Sequence, residues 1–229
     1  MNCWICGKEG TTGEHRIKAS DLRTFFGQVS QKTPIYFHTS VKKNIPLGSI
    51  KAERLKSTAK ICNNCNNAIT QPYDKAWEKL STYLRENFPR ISTTKKIDMT
   101  KVFPGASGQS LLNVQLYFVK LFGGLIVEHN VPIDIKSFAY AIQTQTAHKN
   151  IYLGFGPRLD VVKHKFVGVT PINAVNNDRE TVFASWFYVV GDIAVDVIYS
   201  AQNEYMHVVR NSWHPSQSGK ILRFTASAH

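Results

Sequence analysis

An α+β fold in two parts is what this sequence predicts. The first part, residues 1–90, reads as a cysteine-stapled basic domain. Residues 91–109 read as a linker, and residues 110–229 as an α+β domain of two helices followed by an antiparallel sheet. Three observations carry this. Cys3, Cys6, Cys62 and Cys65 form two Cys-x-x-Cys pairs with 55 residues between them. After residue 110, two apolar runs at helical spacing precede six β-branched or aromatic runs. The charge is also uneven. The net charge is +12, yet residues 1–101 hold 18 Lys and Arg against 8 Asp and Glu, whereas residues 102–229 hold 10 against 8. A basic excess confined to one half points to a polyanionic partner for that half.

In chain order, residues 1–10 read as a zinc knuckle, with Gly7 after Cys6 to turn the backbone. A short helix is expected at Asp21–Phe26, with Phe25 and Phe26 inward. Residues 31–60 look irregular or β-like, basic and interleaved with Tyr36, Phe37 and His38, a composition suited to tracking phosphates. A turn over Asn66–Gln71 should lead into a helix from about Asp74 to Asn87, with Asp74 as its N-cap and Pro89 ending it. Residues 91–109 are polar and turn-rich. Beyond them the spacing predicts helices at Leu111–Val127 and Ile135–Thr146. Strands are expected at 151–155, 159–169, 181–190, 193–199, 205–209 and 221–225, with a hairpin turn at Gly191-Asp192.

Two Cys-x-x-Cys turns can wrap one tetrahedral zinc, and a closed four-cysteine site is structural. Such a staple brings Glu14 and His15 beside Asn66, which directly follows Cys65. A carboxylate at Glu14 is a hard ligand for a divalent ion such as Mg2+ or Mn2+. The Asn66 amide oxygen offers a second ligand. A neutral imidazole at His15 can take a proton from water. Both Glu14 and His15 serve one site only if the strand bends, because neighbouring strand residues face opposite ways. Arg16, Lys18, Lys42 and Lys43 are candidate phosphate contacts. The other histidines lack partners at ligand spacing and read as structural or surface residues.

These motifs together, Cys-x-x-Cys-Gly at residues 3–7, Thr-x-Glu-His-x-Ile at 12–17 and Cys-x-x-Cys-Asn at 62–66, resemble the HNH endonucleases of the ββα-metal (His-Me finger) superfamily. The pattern is closest to the bacterial and phage branch with four zinc-binding cysteines. Tyr73-Asp74-Lys75 fits the variant in which an aspartate replaces the last histidine, and no histidine lies in the seven residues after Asn66. The resemblance covers about residues 1–80. It implies two antiparallel strands and a helix clasping one divalent ion against the scissile phosphate. Glu14 and Asn66 would be metal ligands, with Asp74 a candidate third, and His15 the general base. It further implies hydrolysis of DNA with 5′-phosphate products, as in restriction, phage defence or a phage-encoded enzyme.

Two other readings remain open from sequence: a non-catalytic zinc module that binds nucleic acid, and a nuclease acting on RNA. Residues 110–229 resemble no family and are assigned target recognition, sensing, or contact with a second copy or a partner protein. No signal peptide is expected at the N-terminus. Lys120, Asp192 and Asp196 interrupt the longest apolar runs, so no membrane span is expected. Paired free cysteines suit a reducing compartment, and the expected location is cytoplasmic.

Overall fold

The computed structural model describes residues 1–39, 41–105, 108–158, 165–178, 180–201, 205–217 and 219–225. Helices and antiparallel sheets are mixed along the chain, in agreement with the α+β expectation. Near the N-terminus β1 (Thr12–His15) pairs antiparallel with β4 (Lys56–Ile61). Between them lie α1 (Ala19–Phe26) and a hairpin of β2 (Ile35–Phe37) and β3 (Ile45–Leu47). A π-helical turn at Cys65–Ile69 then leads into α2 (Gln71–Glu86).

α2 starts earlier than its cap-like Asp74 suggests. Pro72 sits in the first turn, where a missing backbone donor costs nothing. Asp74 therefore lies inside the helix and caps nothing. Tyr73, Ala76, Trp77, Leu80 and Leu84 form the buried stripe.

Residues 91–109 are more ordered than their turn-rich composition suggests. They hold the end of α3 (Phe88–Thr94), β5 (Lys96–Asp98) and α4 (Met99–Val102), and Ile91, Ile97, Met99 and Val102 are buried. β5 pairs with the late strand β11 (Ile221–Arg223).

Helix α5 (Gly108–His129) runs through the core between α2, α6 (Ile135–Thr144) and β4. By length and composition it could cross a membrane, so Lys120 does not disqualify it as expected. In this fold 78% of its most apolar window is buried, and the apolarity serves the core. Gly123 shows how closely it packs: a Cβ there would lie 2.4 Å from the Trp4 ring.

The sheet of the second half holds β6 (Ile151–Pro157), β7 (Val167–Val169), β8 (Asn173–Asn176), β9 (Thr181–Val190) and β10 (Ile193–Ser200). Its order is β6-β10-β9-β7, with β8 also on β9. The turn at Gly191 has φ 61, and a Cβ there would meet the Phe25 ring at 2.1 Å, so the β9–β10 hairpin tip sits against α1. β8 is an exposed, asparagine-flanked strand that the hydrophobic pattern does not mark. The strand expected at 205–209 is instead a short helix, α7 (Met206–Val209). Residues 159–164 of another expected strand lie outside the described residues.

Buried side chains from both halves form one connected apolar core. A polar hub reinforces it. The carboxylate of Asp21, on α1, is 1% exposed and accepts from Trp77 Nε1 (2.7 Å), Tyr188 OH (2.9 Å), Arg85 Nη1 (3.1 Å) and Ser81 Oγ (3.2 Å). It ties α1 and α2 to strand β9.

Candidate functional site

The four cysteine sulfurs all lie within 4.8 Å of one another, and none forms a disulfide. Cys6 and Cys62 Sγ are 3.6 Å apart. Tetrahedral zinc at its usual Zn–S length separates sulfurs by about 3.8 Å, so the quartet is placed to hold a metal ion and is compatible with structural zinc. The local chemistry favours a cation. The Cys65 N–H points at Cys62 Sγ (3.4 Å) and brings that thiol down to about 7, whereas burial pushes the Cys65 thiol up. Four crowded thiolates need a compensating charge. Gly7, at φ 77, donates to the Cys3 carbonyl and closes the first knuckle.

The knuckle fixes Asn66, but toward the start of β1. Its backbone N–H donates to the Cys62 carbonyl (3.0 Å), and its side-chain Nδ2 donates to Thr12 Oγ1 (3.3 Å). Among the described residues, Asn66 makes no hydrogen bond to Glu14. It stitches the cysteine turn to the strand that carries the site.

Glu14 and His15 sit where that strand is irregular. The β1–β4 register shifts between Gly13 and His15. Gly13 lies so close to β4 that a Cβ would meet the Ser57 carbonyl at 2.4 Å. Bulges of this kind re-aim side chains, which supplies the bend that a joint role for the pair requires. His15 Nε2 lies 3.2 Å from the Ile50 carbonyl. A carbonyl only accepts, so Nε2 carries the proton and Nδ1 is left as the basic nitrogen.

Glu14 and Asp74, sixty positions apart, converge on one ammonium. Lys120 Nζ lies 3.1 Å from Glu14 Oε2 and 2.8 Å from Asp74 Oδ1. The lysine side chain is 1% exposed, the two carboxylates 22% and 17%. Burial works against the ammonium, but Glu14 and Asp74 more than offset it, and the net shift of Lys120 is upward. Sequence reading missed Lys120 as a site residue. The signal was present as a lone cation inside an apolar helix. Beside the cluster is a cavity of ≈ 20 Å³ lined by Trp4, Glu14, His15, Lys120 and Trp186 among others.

The candidate phosphate contacts divide into two groups. Arg16 forks onto Glu128 of α5, with Nη2–Oε1 at 2.5 Å and Nε–Oε2 at 3.2 Å, and its Nη1 reaches the Arg54 carbonyl. Lys18 lies 3.4 Å from Glu78 and 3.7 Å from Asp74. Lys42 and Lys43, in the loop of the β2–β3 hairpin, are exposed and make no ion pair among the described residues. The hairpin loop, rather than the Arg16 region, holds the cations open to a polyanion.

Comparison of the chain with protein-family models, with curated proteins and with solved structures returned no match.

Proposed function

We propose that this chain is a zinc-stapled endonuclease of the HNH kind, hydrolysing phosphodiester bonds in DNA. The observation that carries the reading is His15. Its Nε2–H is held by the Ile50 carbonyl, so Nδ1 is the available base, at a strand bulge and next to a carboxylate. In the reaction Nδ1 takes a proton from water, the water oxygen attacks phosphorus, and the bond to the leaving oxygen breaks. Zinc at Cys3, Cys6, Cys62 and Cys65 would hold β1, β4 and α2 in register without touching substrate. Lys42 and Lys43 would grip flanking phosphates.

The Mg2+ or Mn2+ ion expected at Glu14 and Asn66 does not fit the donor set as it stands. Asn66 is bonded to Thr12, and Lys120 already neutralises Glu14 and Asp74. That same observation favours the second reading, a non-catalytic zinc module that binds nucleic acid.

Nicking of supercoiled plasmid in Mg2+ or Mn2+ decides between them, with RNA as a parallel substrate. His15→Ala should lower the cleavage rate by about 10²–10⁴-fold while DNA binding stays within error of the unsubstituted protein. Equal cleavage by the two proteins would sink the nuclease reading and leave the binding module.

A further inference from the structure

Lys120 reaches the Glu14–Asp74 pair from outside the strands and helix that hold that pair. Glu14 comes from β1, Asp74 from α2, and the ammonium from α5. Its position follows from packing. Lys120, Gly124 and Glu128 are spaced four apart on α5 and so share one stripe. Glu128, at the far end, accepts from Arg16, from Ser57 Oγ (3.0 Å) and from the Thr58 N–H (3.2 Å). In the middle, Gly124 passes near Ser57 Oγ, and its neighbour Gly123 lies against Trp4. Both ends of the stripe are therefore charge-locked to the β1–β4 pair, and the helix sets the ammonium onto the two carboxylates.

Two convergent carboxylates and a single small cation make a cation seat. The seat is half open, because Glu14 and Asp74 retain exposure while Lys120 does not. Lys120 is the buried member of the trio, its ammonium reached from the carboxylate side. The other charges facing the seat are Lys18, near Asp74 and Glu78, and the His15 ring next to Glu14 in sequence.

We propose that Lys120 is a built-in competitor for a divalent ion at Glu14 and Asp74, so that the pair takes such an ion only when the ammonium is withdrawn. The proposal rests on the nuclease reading for its purpose, but not for its test. The competing ammonium comes from α5, a helix that Glu128 ties to Arg16, Ser57 and Thr58.

The test uses the full chain with its cysteine site loaded with zinc, and Mn2+ as the probe. Free Mn2+ is followed by electron paramagnetic resonance, and thermal midpoints are recorded with and without the ion. Lys120→Met should bind Mn2+ about tenfold or more tightly than the unsubstituted protein, because one unit charge leaves the seat. Its midpoint should be lowered without Mn2+ and raised again by it, while that of the unsubstituted protein hardly responds. Adding Glu14→Gln to Lys120→Met should abolish both effects.

Mn2+ affinity unchanged by Lys120→Met would overturn the proposal. So would tight binding that survives the Glu14→Gln addition, or a Lys120→Met chain that stays unfolded at saturating Mn2+. Plasmid nicking is read in parallel. Tightened Mn2+ binding with no cleavage by any variant would count against the nuclease reading and leave the cation exchange standing.

Discussion

Asp21 and the Glu14–Asp74 pair are both carboxylate clusters facing buried cations or donors, yet they are built to opposite specifications. Asp21 accepts four donors from Trp77, Tyr188, Ser81 and Arg85, which fills the acceptor capacity of a carboxylate. It is 1% exposed. At the other cluster one buried ammonium, Lys120, bridges two carboxylates, with Lys18 farther off at 3.7 Å from Asp74. Glu14 Oε1 accepts only the His15 N–H, and Asp74 Oδ2 has no partner among the described residues. A saturated, sealed carboxylate is a fastener. An unsaturated pair beside a cavity lined by Glu14, His15 and Lys120 retains capacity for a further ligand, and that spare capacity is what makes it a candidate site.

Zinc removal is the broadest test of this contrast, because both clusters depend on α2, which follows the second cysteine turn. Zinc peptides bind their metal with an apparent free energy of about 10–16 kcal/mol at neutral pH. A strong chelator, or Cys62→Ser, should abolish the cooperative thermal transition followed by circular dichroism. A sharp transition retained at the same temperature without metal would show that α2 holds its place by apolar packing alone.

Single substitutions then separate the clusters. Asp21→Asn should cost about 3–5 kcal/mol in denaturant unfolding, because it leaves Arg85 facing a neutral, mismatched partner in a dry setting. Glu14→Gln should cost about 1–2 kcal/mol, since Asp74 still pairs with Lys120 and the site is partly wet. Equal costs would erase the distinction between fastener and site.

The sequence made the elements legible where one principle dominated. The cysteine spacing marks the metal quartet, the long apolar run marks α5, and Gly191-Asp192 marks the β9–β10 turn. Boundaries failed where signals competed. Asp74 looked like a cap because Asp often stands before a helix, but Pro72 begins α2 earlier, and the carboxylate answers a lysine that is remote in sequence. Residues 205–209 carry β-branched and aromatic side chains, yet form a short helix. The ion pairs joining α5 to Glu14, Asp74 and Arg16 span 46 to 112 positions, and no local pattern encodes a partner at that range. Lys120 was readable as an oddity in an apolar helix, but its partners were not.

The smallest effect concerns a third buried cluster, which is saturated like Asp21 but can titrate. His148 is 3% exposed. Its Nδ1 accepts the Asn150 N–H (3.3 Å), so Nε2 carries the ring proton toward Ser137 Oγ (3.0 Å), and that hydroxyl donates to the Asp134 carbonyl (2.8 Å). His214 lies next to it, with Nε2 on the His148 carbonyl. Burial brings His148 down to about 4 and lowers His214 as well. The folded value lies below the unfolded one of about 6.5. The unfolded chain therefore takes up the proton first as pH falls. Stability is complete above about pH 6.5 and is lost as pH falls through about 4, by about 3 kcal/mol from His148 alone. Unfolding free energies measured between pH 7 and pH 4 should trace that decline, and His148→Gln should make it shallower. A decline of the same steepness in the variant would assign the acid response to carboxylates instead, with Glu128 the first to examine, because burial there is outweighed by its bonds to Arg16 and the Thr58 N–H, which hold it below its ordinary value.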